Sequence, residues 1–250
     1  MSLIVIGATS EIGQSTAKIF FGAGHDLLLI ARDINLLRER YPKESGIGPS
    51  VDISQGCIDD LKSTKSLAET VIGSLRSDPY VLIAIGSIQN ETLSRVSSDS
   101  ATYIIDVNFR NLVALITPIA EALRERREGC LIILSSVAGD RGRQSNYVYG
   151  SAKAGLSTYT QGLRSRLVLD GVHVLTVKPG YVDTAMLREA LGEAYRKIPR
   201  FLVGDLDRVG DQIFQAAMKK KNVIYARPIW RFVMFFVRLI PENIFKRLNL

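Results

Sequence analysis

The chain has 250 residues, 46% of them hydrophobic, and a formal net charge of +7. Length and apolar content together suit one folded domain with a large core and exclude a disordered chain. Two cysteines exclude a disulfide framework, and two histidines far apart in sequence, His25 and His173, leave no metal-ligand cluster, so no metal is expected.

Leu3-Ile4-Val5-Ile6 reads as a buried strand at the very start of the chain, which implies a reduced, cytoplasmic protein without a signal peptide. The strand feeds Gly7-Ala8-Thr9-Ser10-Glu11-Ile12-Gly13, and a helical pattern follows through Ala17, Ile19 and Phe20. Glycines between a strand and a helix let the backbone approach a pyrophosphate, and the helix end offers unpaired N–H groups. Gly7, Thr9, Ser10, Ile12 and Gly13 are therefore candidate cofactor residues, although an ordinary strand–helix turn has the same glycines. Glu11 is expected to point away from the phosphates and to favour the helix dipole.

The next apolar run, residues 27–30, ends in Ala31-Arg32-Asp33. An acid at the strand end binds a ribose 2′-hydroxyl, whereas Arg32 suits a 2′-phosphate, which favours NADP(H) over NAD(H). Asp33 would restore the acid if the match shifts by two residues. Further apolar runs fall at 81–85, 131–134 and 172–177, and another strand is expected at Val223-Ile224-Tyr225. Cys130 opens one of these strands as a buried thiol. Strands alternating with helical patterns predict a Rossmann-like, doubly wound parallel sheet of the α/β class, in one domain over residues 1–225. The site is then expected at the carboxyl ends of the strands.

Ser136 follows the 131–134 run, and Tyr149 and Lys153 follow it four residues apart. On a helix those two share one face. Tyrosine titrates near pH 10, so bringing it to about 7 takes roughly 4 kcal/mol, which an adjacent ammonium can supply in part. The Ser136 hydroxyl can hold a carbonyl or alcohol oxygen while Tyr149 moves the proton. Residues 185–208 are less periodic, and Met186, Leu187, Tyr195 and Phe201 read either as a lid or as plain helix packing.

With its Gly-rich entry and its Ser136, Tyr149 and Lys153, the chain resembles the short-chain dehydrogenase/reductases over about residues 1 to 220. That resemblance implies a nicotinamide-dependent oxidoreductase in which Lys153 also holds the nicotinamide ribose. Asn108 in Asp106-Val107-Asn108 matches the residue that holds a water in the family's proton relay. Asp52 and Ile53 match the family's pair beside the adenine, and Pro179-Gly180, Val182 and Thr184 match the loop at the nicotinamide end. The family's Asn-Asn-Ala-Gly is here Ile83-Ala84-Ile85-Gly86, so the backbone at Gly86 lines the cofactor without Asn side chains. The family's Thr before the first glycine and the Gly in mid-loop are Ile6 and Glu11. The resemblance also implies a homodimer or homotetramer.

The tail, residues 226–250, is basic and apolar. From Lys219 onward eight Lys or Arg face Glu242 alone, a net +7 that equals the charge of the whole chain. Ile229 to Ile240 is a strongly apolar helical stretch between Pro228 and Pro241, about 18 Å long and too short to span a bilayer. Arg231 and Arg238 share a face, with Arg227 near that stripe. Such a helix fits a membrane interface, and it also fits a core or dimer helix. Nucleic acid is not expected, because the basic residues alternate with bulky apolar ones.

The tail, the Gly loop and residues 135–156 are similar to one branch, the decaprenylphosphoryl-2-keto-pentose reductases. That similarity implies reduction of a polyprenyl-phosphate-linked keto sugar at the inner face of the plasma membrane. It further implies a flavin-dependent oxidase partner that supplies the ketone and completes a 2′-epimerisation for cell-wall synthesis. The branch is associated with NADH, in contrast to the reading of Arg32. A soluble carbonyl reductase and a non-catalytic dinucleotide sensor are the alternatives.

Overall fold

The apolar runs become the middle of a parallel sheet. The computed structural model describes residues 1–41, 48–88 and 91–248. Its strands are β1 (Ser2–Ile6), β2 (Asp26–Ala31), β3 (Val51–Gln55), β4 (Tyr80–Ile83), β5 (Cys130–Leu134), β6 (His173–Pro179) and β7 (Val223–Ala226). They form one sheet in the order β3-β2-β1-β4-β5-β6-β7, with every pairing parallel. β1 and β5 are buried along their whole length. Helices on both faces leave such strands no polar side, which is why they read as continuous apolar runs. β3 lies at the edge and alternates polar with apolar residues, so it has no such run.

The helices are α1 (Glu11–Gly22), α2 (Asn35–Arg40), α3 (Leu61–Gly73), α4 (Glu91–Ser94), α5 (Ser98–Ile105), α6 (Asn111–Arg126), α7 (Tyr147–Leu167), α8 (Ala185–Leu191), α9 (Leu206–Met218), α10 (Ile229–Leu239) and α11 (Glu242–Phe245). One core layer joins the sheet to α3, α6 and α7 through residues such as Leu67, Leu115, Ile119 and Leu156. The other joins it to α1 and α9 through Phe20, Val209 and Ile213. The chain winds from β1 outward to β3, then returns to place β4 on the other side of β1. The crevice at this reversal, beyond the carboxyl ends of the strands, is where an α/β sheet of this kind accepts a ligand.

Both histidines stand at strand starts. His25 is buried just before β2 with its ring edge-on to Phe20 at 5.1 Å, and His173 begins β6 with Nε2 2.9 Å from the Lys221 carbonyl. Cys130 is buried at the head of β5, and burial pushes its thiol up to about 12.

Candidate active site

A cleft of about 230 Å³ opens at this crevice. Ser10, Ile12, Gly86, Ser136, Tyr149, Lys153, Pro179, Gly180, Val182 and Thr184 all line it. Thr9 lines the adjoining groove with Glu11, and Gly13 is buried beneath the turn.

The turn from β1 into α1 sits tightly against the neighbouring strands. Gly7 and Ala8 both donate to the Ile30 carbonyl at 2.9 Å. Gly7 has φ +84°, and a Cβ there would stand 2.9 Å from the Ala84 carbonyl oxygen. Only glycine accepts both the backbone angle and the close approach. Ser10 caps α1 by accepting from Gly13 N at 3.4 Å, and the first turn of that helix faces the cleft. A phosphate-sized anion suits such a helix end.

The chemical wall is built by β5 and α7. Ser135 Oγ lies 2.7 Å from Ser157 Oγ and donates to the Lys153 carbonyl at 3.1 Å, which fixes the strand end against the helix. Ser136 then begins a short 3-10 turn, and its Oγ accepts from Ala138 N at 3.1 Å. The turn ends at Asp140, whose buried carboxylate accepts from Lys178 Nζ at 2.5 Å and from Tyr225 OH at 2.7 Å. Burial and that carboxylate push the Tyr225 phenol upward. Ser136 is therefore anchored through Asp140 to β6 and β7.

Tyr149 and Lys153 lie one turn apart on α7 and both are buried. Lys153 Nζ is 5.7 Å from the centre of the Tyr149 ring and donates to the Leu134 carbonyl at 3.2 Å. Burial pushes the Lys153 ammonium down to about 8. A Cβ on Gly86 would come 3.3 Å from Lys153 Nζ and 3.2 Å from Asn108 Oδ1, so the backbone after β4 runs between them. Asn108 is fully buried in a π-helical turn, Asp106–Arg110. Its amide donates to the Ser87 and Ile104 carbonyls at 2.8 and 2.9 Å and accepts from Ser87 N at 3.1 Å. The side chain thus clamps the β4 loop beside Lys153, a structural contact that the family resemblance did not imply.

The opposite wall follows β6. Gly180 touches α10 so closely that a Cβ would fall 2.0 Å from Trp230 Nε1, and Trp230 donates to the Leu202 carbonyl at 3.0 Å. Trp230 and Met234 bury against Val137, the residue after Ser136. The tail is thereby continuous with the catalytic wall; its last two positions, 249 and 250, lie outside the described residues. α8 covers the cleft with Met186 and Leu187, while Tyr195 instead donates to Asp183 at 2.6 Å and Phe201 is 60% exposed outside.

Several expectations are corrected. Asp52 is the second residue of β3, level with Leu28, and lines a groove with Ser2, Asp26 and Arg76 at the amino ends of the strands. It stands at the wrong end to sit beside an adenine. Ile53 packs against the core. The residues that reach the carboxyl end of β3 are Gln55, whose amide donates to the Arg32 carbonyl at 3.0 Å, and Asp59, 3.7 Å from Arg32. Arg32 is exposed at the end of β2, and Asp33 turns toward α2 to accept from Asn35 N at 3.0 Å. Arg227 leaves the cationic stripe of the tail and donates to the Val203 carbonyl at 2.7 Å.

Three residues of the site were not singled out by sequence for these roles. Glu11 accepts from Ala185 N at 2.6 Å and lies 3.9 Å from Arg188, so its charge holds the start of α8 instead of facing the glycine cradle. Arg143 and Asn146 line the cleft together with Ser136 and Tyr149, and among the described residues Arg143 Nε and Asn146 Oδ1 are buried without a partner. Nothing local in the polar run Asp140 to Asn146 indicates that Arg143 and not Arg141 lines the cleft.

Comparison with known proteins agrees with this geometry. Residues 2–194 match the family model described as short chain dehydrogenase. An uncharacterized oxidoreductase of Streptomyces coelicolor is 30% identical over 249 residues, covering 99% of this chain and 95% of the relative. One of Mycobacterium tuberculosis is 28% identical, covering 98% and 96%. Among solved structures, a short-chain dehydrogenase from Sphingobium yanoikuyae in complex with NADPH superposes with a TM-score of 0.80 at 22% identity, covering 97% of each chain. One from Burkholderia cenocepacia in complex with NADP gives 0.77 at 18%, covering 100% and 97%.

Proposed function

The chain belongs to the short-chain dehydrogenase family and is an NAD(P)-dependent oxidoreductase; from that premise we propose that it uses NADPH to reduce the keto group of an anionic, lipid-linked sugar. The observation that carries the reduction is the meeting of Ser136, Tyr149 and Lys153 on one wall of the cleft.

The glycine cradle at Gly7 and Gly13 and the 179–184 loop would hold a nicotinamide dinucleotide, whose reduced form would supply the hydride for the carbonyl carbon. Tyr149 gives its phenolic proton to the oxygen that becomes the alcohol. The Lys153 ammonium, near the ring and buried with it, stabilises the phenolate left behind. Ser136 accepts from Ala138 N, which leaves its hydroxyl hydrogen to donate to the substrate oxygen.

Arg32, exposed at the end of β2 while Asp33 turns toward α2, supports a 2′-phosphate and hence NADPH over NADH. The substrate reading is supported by the far side of the cleft. Arg143 brings a guanidinium with a buried, unpartnered Nε, a donor that suits a phosphate. Asn146 Oδ1 is a free acceptor for a sugar hydroxyl. Met186, Leu187 and Leu191 offer an apolar wall for a chain. On this reading a separate enzyme, such as a flavin-dependent oxidase, supplies the ketone by oxidising the sugar's secondary alcohol.

The test measures NADPH oxidation with a polyprenyl-phosphate keto pentose and with the same keto sugar lacking phosphate. The phosphorylated compound is expected to be preferred, and Arg143→Gln to raise its KM about 10-fold or more while sparing the neutral one. Equal use of both, with no effect of Arg143→Gln, overturns the anionic substrate and leaves a general carbonyl reductase. Tight dinucleotide binding with no turnover of any carbonyl supports a sensor instead.

A further inference from the structure

The C-terminal helix has two faces with different fates. Inward, Trp230 and Met234 are buried, and Arg141 pins the helix by donating to the Val237 and Ile240 carbonyls at 2.6 Å each. The Arg141 guanidinium also stacks on Phe245 at 3.7 Å. Outward, Phe232, Phe235, Phe236 and Leu239 are 63, 58, 64 and 63% exposed. Their spacing of three, four and seven places them in one stripe along α10. Ile244 of α11 and Phe201, next to the carbonyl that Trp230 contacts, are 55 and 60% exposed as well. Scattered exposed apolar residues are ordinary, but a fixed stripe of this kind marks a contact surface.

Charge identifies the partner. Arg231, Arg238, Lys246 and Arg247 are exposed beside this stripe. The tail's single carboxylate, Glu242, is taken by Arg141 from the body of the protein at 3.1 Å. Among the described residues none of these four cations has an ion-pair partner, and in sequence they flank the aromatic residues. Cations at headgroup level with aromatic and aliphatic side chains below them match an anionic lipid surface. A protein partner would favour charge-depleted apolar contact at the centre of such a patch. α10 has 11 residues, about 16 Å, and cannot cross a bilayer. The helical run 98–126 is apolar and long enough to do so, but its inner face fills the core with Leu112, Leu115, Ile116 and Ile119.

We propose that the outer face of α10 and α11 docks the protein on anionic bilayers, Phe232, Phe235, Phe236 and Leu239 entering the acyl boundary and the four cations meeting lipid phosphates. The inference rests on the tail alone and does not depend on the substrate reading. Because Trp230 of the same helix touches Gly180 and Val137, both lining the cleft, docking brings the catalytic cleft next to the membrane.

The test is co-sedimentation of the full-length protein with phosphatidylcholine vesicles, with and without phosphatidylglycerol. Binding is expected only to the anionic vesicles, and to weaken at high salt. Arg231→Gln with Arg238→Gln is expected to weaken it about 30-fold, from two headgroup contacts at about 1 kcal/mol each. Phe232→Ser with Phe236→Ser is expected to abolish it, while reduction of a water-soluble ketone is retained. Failure of the wild type to bind, or equal binding to neutral vesicles, overturns the proposal. So does a wild-type oligomer that the Phe232→Ser, Phe236→Ser protein loses without any vesicle binding, which would make the face a subunit contact.

Discussion

The two walls of the cleft are built from contacts of very different reach. On the β5–α7 wall, Ser135 meets Lys153 and Ser157 at sequence separations of 18 and 22, and Tyr149 and Lys153 share one helix face. On the opposite wall, Glu11 meets Ala185 across 174 residues. The first wall is buried; Ser136 and Lys153 are held there by backbone partners, and Asp140 at the end of the turn by Lys178 and Tyr225. The second is half open, capped by a seven-residue helix, and its groups are held by charges. A proton donor needs a fixed, desolvated position, and that is achieved by short-range geometry. Substrate selection tolerates a looser wall, which long-range contacts can assemble from loops.

The largest effect is expected at Tyr149. Tyr149→Phe is expected to lower the reduction rate by about 10²- to 10⁴-fold with the dinucleotide still bound. Stopped-flow reduction paired with a fluorescence titration of NADPH checks both halves. Substantial remaining turnover would show that the buried wall is not the chemical one.

Lys153 sharpens the contrast through stability. Its folded pKa, about 8, lies below the ordinary value of 10.5. Between those values the unfolded chain binds the extra proton, so this group adds stability as pH rises from 8 to 10.5 and withholds it below 8. Lys153→Met is expected to gain about 2 kcal/mol at pH 7 while losing reduction. Urea unfolding of both proteins at pH 7 and pH 10 tests this, since the difference between them should shrink at the higher pH. A constant difference would mean that the ammonium is well solvated in the fold.

The smallest effect is expected on the open wall. Glu11→Gln removes a negative charge near the glycine cradle and weakens the hold on Arg188 and Ala185. NADPH should bind a few-fold tighter and the ketone KM should rise a few-fold, each about 1 kcal/mol or less. Calorimetric titration of the dinucleotide together with steady-state kinetics separates the two. Changes of equal sign in both would show that α8 and the cradle move as one piece.

The sequence by itself determined the parallel sheet, the glycine turn, and the Ser136, Tyr149 and Lys153 set. Each is a local pattern: an apolar run, a strand–glycine–helix order, a helical spacing of four. β3 has no apolar run to mark it, because an edge strand exposes one side, and Asp52, matched by resemblance to the adenine position, stands at the other end of that strand. The folded chain adds that Glu11 holds the start of α8, that Arg143 rather than Arg141 lines the cleft, and that Trp230 closes against Gly180. It also divided the tail's aromatic residues, burying Trp230 and leaving Phe232, Phe235 and Phe236 outside. The physical reason is common to all of these. Periodicity states which residues share a face, but which face meets the core depends on what other segments bring to it.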